Sequence, residues 1–418
     1  MTAKDAVRAG KRRLVSAILR PLFRRANRKL VEVGALDETV IRKVLVLRPN
    51  HRLGNQVLIT PLLVELEQAL PDARVDVLAG SSARQLLASF RGVCEVHAVP
   101  NHVARYPLRT IRLVRRMRKA SYDLVIDCGL DSHSSRLFIT WLSPKRALGI
   151  PDAQLPGPRT WESVLAEAPP HMAQLPVFLL REAFGIRSQR EPHGYPQLTL
   201  RLTRAEKQTG LRLISHLAGT PDDAKPWVCL FAHATGAKCF ARSWWQRFVA
   251  ALQALVPDVR FVEIVPPDGP SRLGEQFPIF QTKNLRELAS VLSAMLCVVS
   301  ADCGVMHLAS ASGVTVIGLF SATSASVYRP YGNDSCAIDT RDGEPEDIAY
   351  AAARVLVFSK RRAQCGGSHA SADVIVAASH RVDASGAAAA TEHPGVPGDR
   401  SQAVTGSDGN PLDAALIA

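Results

Sequence analysis

The sequence has no apolar stretch long enough to cross a bilayer. Apolar residues make up 47% of its 418 positions, which is ordinary for a globular chain, but no uninterrupted run reaches the roughly 18 residues of a membrane span. The N-terminus also lacks the layout of a secretory signal, because its basic residues continue through and beyond the apolar ones. We therefore expect a protein that is neither integral to a membrane nor secreted.

Paired cysteines are missing as well. The eight cysteines, at positions 94, 128, 229, 239, 297, 303, 336 and 365, are scattered, and no Cys-x-x-Cys pair occurs. Several fall inside apolar runs, where a free thiol packs as a small hydrophobic group. This usage predicts a cytoplasmic protein with reduced thiols.

Acidic residues are scarce at the N-terminus. Residues 1–30 hold ten Lys or Arg against one acid, Asp5, and carry +9 of the net charge of +13. Apolar residues recur beside this charge at helical spacing, although Pro21 is expected to kink or interrupt the helix. Such a helix suits the headgroup plane of an anionic membrane, and a solvated or nucleic-acid-binding arm is the alternative.

A second basic stretch repeats this pattern. Seven Lys or Arg between positions 105 and 119 surround Leu108, Ile111, Val114 and Met117. Two such segments favour an anionic membrane surface as a partner. Nucleic acid is not expected as a partner, because no recognition motif accompanies the charge.

Apolar runs that predict buried strands alternate with amphipathic segments that predict helices. In the first half the strands are 43–47, 75–78, 94–99 and 123–127, and the helices are 58–70, 82–90 and the basic stretch. After a middle rich in Pro and Gly come strands at 227–233, 260–265, 297–300 and 314–320, with helices at 244–255, 285–296, 306–312 and 346–358. This alternation predicts an α/β fold with parallel, doubly wound sheets.

Four segments are expected along the chain. They are a basic amphipathic arm at 1–36, a Rossmann-like domain at 37–205, a second Rossmann-like domain at 206–360, and a low-complexity tail at 361–418. The tail is expected to be disordered, because it offers too little apolar surface to offset chain entropy. Two such domains form a cleft, and ligands of open α/β sheets bind outside the carboxyl ends of the strands.

Polar residues follow two predicted strands of the first domain. In "LRPNHRLGNQVLITP", Gly54 permits close approach to a helix N-terminus, and Arg48 and Arg52 add positive charge. A plain tight turn is the alternative. In "VIDCGLDSHSSRLFITWL" the candidates for a base or a polar contact are Asp127, Asp131, His133, Ser134 and Ser135, and capping or turn formation explains them equally well.

The second domain carries two comparable stretches. In "VSADCGVMHLASASGVTVIGLF", Asp302 is placed to cap a helix whose free Cys303 and Gly304 N–H groups suit a diphosphate. His307 lies on the first turn, and a capped helix with a core histidine is the alternative. In "LFAHATGAKCFARSWW" the loop cations Lys238 and Arg242 suit phosphate oxygens, with solvent-facing charge as the alternative.

Together these stretches resemble glycosyltransferase family 9, the heptosyltransferases that build the inner core of bacterial lipopolysaccharide. The resemblance is carried by "VLVLRPNHRLGNQVLITPLL", "YDLVIDCGLDSHSSRL" and above all "DCGVMHLASASGVTVIGLFSATSASVYRPYG", and it covers about residues 42–335. It implies a GT-B architecture, with two Rossmann-like domains facing each other across a cleft. It also implies an inverting, metal-independent transfer from a nucleotide-diphosphate heptose, typically ADP-heptose, with no cofactor. The sequence has no Asp-x-Asp motif, which agrees with a metal-free site.

The resemblance assigns roles to individual residues. The donor-binding candidates are Thr235, Lys238, Arg242, Glu263, Asp302, Cys303, Gly304 and His307, and the acceptor-binding candidates are Arg48, Arg52, Gly54 and Ser134. Cys303 stands where the family prefers Ser or Thr, and Arg242 aligns with a family lysine whose role Lys238 could take instead.

The family's proposed catalytic carboxylate is replaced by Asn55, an amide that cannot accept a proton at neutral pH. Three hypotheses remain open. Another group deprotonates the acceptor, with His51, Asp131 and His133 as candidates. Alternatively, Asn55 only orients the acceptor while the departing diphosphate drives the step, or the chain is a poor enzyme.

The main hypothesis is a glycosyltransferase that is peripheral on the inner face of the inner membrane. It would use a nucleotide-sugar donor and a lipid-linked saccharide acceptor. The alternatives are a nucleotide-sugar epimerase on the same fold and a non-catalytic, membrane-associated saccharide-binding protein.

Overall fold

The architecture is taken from a computed structural model of the chain. It describes residues 19–100, 105–129, 132–185, 194–218, 225–364 and 374–376. Among these, no helix combines the length and the apolar character needed to cross a membrane.

The first domain is built on a five-stranded parallel sheet. Its strands are β1 Lys43–Leu47, β2 Arg74–Ala79, β3 Val93–Ala98, β4 Leu124–Asp127 and β5 Arg146–Leu148, in the order β3-β2-β1-β4-β5. The strand order reverses between β1 and β4, where Leu47 lies opposite Asp127. A crevice for ligands is therefore expected at the carboxyl ends of these two strands.

In the described part of the chain, eight α-helices accompany this sheet. They are α1 at 19–27, α2 Leu53–Val57, α3 Thr60–Ala69, α4 Ala83–Leu86, α5 Pro107–Ala120, α6 His133–Leu142, α7 Trp161–Val164 and α8 Leu175–Ala183. The predicted helix at 82–90 is thus reduced to the four residues of α4, and the predicted helix at 58–70 begins at Thr60.

The second domain is built on a seven-stranded parallel sheet. Its strands are β6 Trp227–Phe231, β7 Arg260–Ile264, β8 Ile279–Phe280, β9 Cys297–Ala301, β10 Thr315–Phe320, β11 Cys336–Asp339 and β12 Val374–Val376, in the order β12-β11-β10-β9-β6-β7-β8. Its helices are α9 Arg204–Ala218, α10 Arg242–Leu255, α11 Leu285–Leu292, α12 Gly304–Ala311, α13 Ala325–Tyr328 and α14 Pro345–Gln364. The order of this sheet reverses between β6 and β9, so its ligand crevice is expected there.

Ordered structure continues past the predicted start of the tail. Helix α14 begins at Pro345, where a proline is well tolerated, and ends at Gln364 instead of 358. Residues 374–376 then add β12, which pairs with β11 through the register Cys336↔Val374. The expected disorder is therefore wrong for these residues, because a short Val-Ile-Val island completes the sheet edge. The rest of the tail lies outside the described residues.

The described part of the predicted N-terminal arm belongs to the first domain. Pro21 lies within α1 and does not interrupt it. Helix α1 buries Ala26 in a core with Leu45 and Leu47 of β1, and it buries Phe23 beside His133 of α6. The backbone of Leu30 then bridges to Ala147 of β5. The domain boundary at residue 37 is therefore too late, since the apolar stripe of α1 packs on protein.

The two domains pack directly on each other. One continuous apolar core contains Val46 of the first sheet and Val298 of the second. At the surface, Arg286 of α11 donates to Ser89 Oγ of the first domain at 3.0 Å and forms an ion pair with Glu206 of α9. The carboxyl ends of both sheets consequently face a shared space.

Candidate active site

A cleft of about 1440 Å³ lies between the two sheets. Its walls are the segments that follow β1, β4 and β5 in the first domain and β6 and β9 in the second. These are the crevices at the two strand-order reversals, where parallel α/β sheets bind ligands. The position of the cleft thus follows from the topology.

Two glycines bring α2 and α12 together at the base of the cleft. A Cβ atom on Gly54 would lie 2.8 Å from His307 Cδ2, and a Cβ on Gly304 would lie 2.9 Å from the backbone nitrogen of Gly54. Neither position has room for a side chain. The close approach predicted for Gly54 therefore serves the opposite helix, and this contact joins the first-domain and second-domain walls of the cleft.

Asp302, directly after β9, anchors the second-domain side. Its side chain is almost fully buried, Oδ2 lies 2.9 Å from Lys238 Nζ, and the Thr323 hydroxyl donates to the same oxygen. The expected cap does not form, because Cys303 occupies the N-cap of α12 and no side chain caps the helix there. Asp302 instead positions the Lys238 ammonium in the cleft.

Positive charge converges at this end of the cleft. Lys238 ends a short helical turn that starts at Gly236, whose φ of +63° suits glycine. The Nζ atom lies 5.8 Å from the centre of the Tyr328 ring. The N-terminus of α12, at Gly304, lines the same wall with its N–H groups and the positive end of its dipole. An ammonium beside a helix N-terminus is an arrangement that binds phosphate.

His307 faces this region as a neutral imidazole. Burial lowers its pKa to about 4, against a smaller opposing effect of Asp302. The ring lines the cleft, and its Nδ1 has no hydrogen-bond partner within the described part of the chain. A buried, unpartnered ring nitrogen at the cleft wall can contact a polar ligand.

Arg48 and Asn55 form a buried pair on the first-domain side. Arg48 Nη2 donates to Asn55 Oδ1 at 2.7 Å, and Nη1 donates to the carbonyl oxygen of Cys128. A guanidinium has no acceptor, so the oxygen of Asn55 must face it. The amide nitrogen, a donor, is left for a ligand. Asn55 is thus placed to bind, and its remaining group cannot remove a proton.

His133 and Arg136 extend this side along α6. His133 begins the helix, lines the cleft, and its ring centre lies 5.1 Å from that of Phe23 on α1. Arg136 Nη1 lies 2.9 Å from Asp152 Oδ2, and both residues line the cleft. Sequence reasoning missed Arg136 and Asp152. Asp152 follows β5, a strand that the sequence analysis did not predict, so no strand end marked this residue.

Asp127 lies buried behind this wall. Its Oδ1 accepts a hydrogen bond from the backbone nitrogen of Gly129 at 2.6 Å, and burial raises its pKa to about 6. Asp127 is not among the residues that line the cleft. The geometry therefore favours a structural contact over contact with a substrate.

The structure brings together most of the residues singled out in the sequence. The cleft is lined by Arg48, Arg52, Gly54, Asn55, His133, Thr235, Lys238, Asp302, Cys303, Gly304 and His307. His51 and Ser134 are exposed and lie off its lining, while Ser132 and Ser135 contribute to it. Asp131 lies outside the described residues.

Two donor-binding candidates lie elsewhere. Glu263 is fully buried, and its carboxylate accepts from the Ser271 hydroxyl at 2.6 Å and from the backbone nitrogen of Arg272 at 2.8 Å. Arg242 is exposed at the start of α10. The geometry does not support a ribose contact by Glu263 or a phosphate contact by Arg242, because neither residue lines the cleft.

Two doubly wound domains with a ligand cleft between their strand ends define the GT-B class. Residues 110–347 match the sequence model of the family described as "Glycosyltransferase family 9 (heptosyltransferase)". The chain belongs to this family and is a glycosyltransferase. No curated protein sequence matches it.

Solved structures agree on the fold. ADP-heptose LPS heptosyltransferase II of E. coli is 19% identical, with 76% of this chain and 99% of that chain covered and a TM-score of 0.58. A family 9 glycosyltransferase of Veillonella parvula is 15% identical, with 78% and 99% covered and a TM-score of 0.60. E. coli heptosyltransferase WaaC with ADP is 19% identical, with 76% and 99% covered and a TM-score of 0.51.

Proposed function

We propose that the protein transfers a heptose or related sugar from a nucleotide-diphosphate donor to a lipopolysaccharide core or another cell-envelope saccharide. ADP-heptose is the first donor to test, since it appears in the name of one structural relative, an ADP-heptose LPS heptosyltransferase. The observation that carries the proposal is the convergence of Lys238 and the α12 N-terminus in one cleft with Asn55 and His133. The first pair suits a diphosphate and the second pair suits an acceptor.

In the proposed reaction an acceptor hydroxyl oxygen attacks the anomeric carbon of the donor. The bond from that carbon to the diphosphate oxygen breaks, and the nucleoside diphosphate leaves with the electron pair. Attack from the opposite face inverts the configuration. The hydroxyl proton passes to His133, the one candidate base from the sequence that lines the cleft among the described residues.

Charge that develops on the leaving diphosphate is stabilised by the protein itself in this proposal. Lys238 supplies an ammonium that Asp302 holds in place, and the α12 N-terminus supplies N–H donors fixed before the reaction. These groups do the work that a divalent cation does in other transferases, so the proposed transfer is metal-independent.

Arg48 and Asn55 are proposed to orient the acceptor. The amide nitrogen of Asn55 can donate to an acceptor oxygen, while Arg48 holds the amide in this orientation. The lipid-linked acceptor places the enzyme on the inner face of the inner membrane, as a peripheral cytoplasmic protein. The basic helices α1 and α5 support this location.

Donor binding tests the proposal first. ADP-, UDP- and GDP-sugars are added separately while the melting temperature is followed, and one of them is expected to raise it by binding the folded state. Asp302→Ala should abolish that rise, because Lys238 loses its anchor. If all three leave the melting temperature unchanged, donor binding is refuted.

A second experiment separates the transferase from an epimerase. An epimerase would alter the bound sugar without acceptor, whereas the transferase releases nucleoside diphosphate only when an acceptor is present.

The base is tested by a matched pair of histidine variants. His133→Gln should lower turnover by about a hundredfold to ten-thousandfold, the usual effect of losing a general base. His51→Gln should leave turnover unchanged, because His51 is exposed and off the cleft lining. Equal turnover of the two variants would remove His133 from the mechanism.

A further inference from the structure

A second cavity, of about 410 Å³, lies between α1, α5 and α6. It shares no lining residue with the reaction cleft. Apolar side chains form much of its lining, namely Leu22, Ile111, Val114 and Trp141, and three arginines accompany them, Arg25, Arg115 and Arg118. We call this cavity the arginine groove. Among the described residues, none that lines it is acidic.

The surface around the arginine groove is also basic and apolar. Residues 19–30 hold five Lys or Arg and residues 105–121 hold seven, with no Asp or Glu in either segment. Leu108 is 69% exposed and Ile111 is 46% exposed, both on α5. Of these cations, Arg116 is held by Glu95 at 2.7 Å, on the side of α5 that faces β3. Within the described part of the chain, no acidic residue of the groove lining neutralises the charge of Arg25, Arg115 and Arg118.

The combination of arginines with apolar side chains favours one class of anionic ligand over others. A solvated polyanion such as nucleic acid would contact the arginines but would gain nothing from an apolar floor. An anionic phospholipid matches both parts, because its acyl chain removes apolar surface from water and its phosphate meets the guanidinium groups. We propose that the arginine groove binds an anionic phospholipid of the bilayer, with an acyl chain against Ile111 and Trp141 and the phosphate at Arg25, Arg115 and Arg118.

The groove lies next to the reaction cleft along one helix. Arg136 of α6 lines the cleft and Thr140 lines the groove, so about one helical turn, roughly 6 Å, separates the two. A lipid in the groove would bring the membrane surface to the acceptor side of the cleft. The inference rests on the proposed membrane-linked acceptor, and it adds a defined lipid site to a general attraction for the membrane.

The test measures partitioning of the full chain onto phosphatidylcholine vesicles with and without phosphatidylglycerol. Wild-type protein should partition onto the anionic vesicles, and more salt should weaken the effect. The double variant Arg115→Glu and Arg118→Glu should lower that partitioning by about tenfold or more. The matched control, Arg354→Glu with Arg361→Glu, reverses two exposed arginines of α14 in the second domain and should retain wild-type partitioning.

Two further variants locate the contact. Ile111→Ser should weaken partitioning, while Leu211→Ser, at a residue 53% exposed on α9, should not. Anionic vesicles should also shift the tryptophan emission of the wild type to the blue. That shift should be lost in Trp141→Phe, because Trp141 is the tryptophan in the groove.

The proposal is overturned by wild-type partitioning of the Arg115 and Arg118 double variant, or by an equal loss in the α14 control. It is also overturned if only Arg12→Glu with Arg13→Glu abolishes partitioning, since the membrane contact then lies in the N-terminal residues before the groove. The donor-induced rise in melting temperature is measured for every variant. If it persists while vesicle partitioning is absent from the wild type, the lipid site is refuted and the proposed transferase stands.

Discussion

Lys238 and Arg242 show that the position of a cation in the fold decides whether it lines the cleft. The two cations lie four residues apart in one loop, yet Lys238 lies in the cleft beside Asp302 and Arg242 is exposed on α10. From sequence alone both are equally suitable for phosphate. Lys238 lies in the turn that starts at Gly236 and lines the cleft, whereas Arg242 begins α10 outside the cleft lining.

The contrast between Lys238 and Arg242 leads to a prediction for donor affinity. Lys238→Ala should weaken nucleotide-sugar binding by about 10- to 100-fold, the usual effect of losing one hydrogen bond to a charged group. Arg242→Ala should change affinity by less than about twofold, because Arg242 is off the cleft lining. Titration calorimetry with the donor that passes the thermal test measures both. A larger effect of Arg242→Ala would mean that the donor approaches α10.

The raised pKa of Asp127 predicts that the free energy of unfolding depends on pH. Burial raises the pKa of this carboxyl from its ordinary 3.8 to about 6. Since the folded state holds the proton more tightly, the contribution to stability is complete below pH 3.8 and is lost as pH rises through 6. Asp127→Asn removes this titration and keeps an oxygen that can accept from the Gly129 nitrogen.

Between pH 7 and pH 5, the free energy of unfolding of the wild type should therefore rise relative to Asp127→Asn by about 1 kcal/mol. Urea unfolding of both proteins at each pH gives this difference, and the comparison cancels other titrating groups. A constant difference across the range would show that Asp127 titrates near its ordinary pKa in the folded protein.

At the scale of elements, the contact between α2 and α12 is the central feature. Helix α2 is the first helix after β1, α12 is the first helix after β9, and the two touch through Gly54 and Gly304. Neither helix alone contains a signal for the other. The sequence indicated two helix N-termini near a ligand, and the structure shows that these helices pack on each other as well as lining the cleft.

Gly304→Ala should disturb this contact. The added methyl would lie 2.9 Å from both the Gly54 nitrogen and Leu53 Cβ, so backbone must shift, and such overpacking costs about 1–3 kcal/mol. Chemical unfolding should report that loss, and donor affinity should fall with it. Gly194→Ala is the control, because a Cβ there meets no atom within 4 Å. Unchanged stability of Gly304→Ala would mean that the helices separate freely.

The amphipathic pattern of helix α1 was predicted correctly, but the surface that buries its apolar face was not. Its apolar stripe and basic face were predicted, and Arg24 and Arg25 are indeed exposed. The stripe, however, packs against the first domain through Phe23, which also contacts His133. Amphipathicity indicates that one face must be buried, but it does not identify the surface that buries it.

At the scale of the whole molecule, Arg286 ties the domains together. Its guanidinium pairs with Glu206 and donates to Ser89 Oγ and to the carbonyl oxygen of Leu200. This residue therefore links α11, α9, the first domain and the segment that joins the domains. The relative position of the two cleft walls depends on such contacts.

Arg286→Ala should lower the free energy of unfolding by about 2–4 kcal/mol, because Glu206 loses its partner in a partly buried network. Arg247→Ala is the control. Arg247 also pairs with two carboxylates, Glu344 and Glu346, but it is exposed and within one domain, so a much smaller loss is expected. Calorimetric unfolding compares the two, and equal losses would refute the interdomain role of Arg286.

The sequence by itself determined the α/β class, the positions of most strands and the stretches that form the cleft. These features are local, because strand runs, helix periodicity and polar residues after a strand are all written within about 20 consecutive positions. The assignment of Asn55 as a residue that cannot act as a base also followed from chemistry alone.

Only the tertiary structure decided which of those residues share a site. Gly54 and Gly304 meet across 250 positions of the sequence, and β12 gains its place by pairing with β11. Glu263 points into its own domain, where its carboxylate accepts from the backbone nitrogens of Arg272 and Leu273. The directions of these side chains and strands depend on packing between distant segments. Local patterns contain no information on that packing, so the first-domain and second-domain walls became one cleft only in the folded molecule.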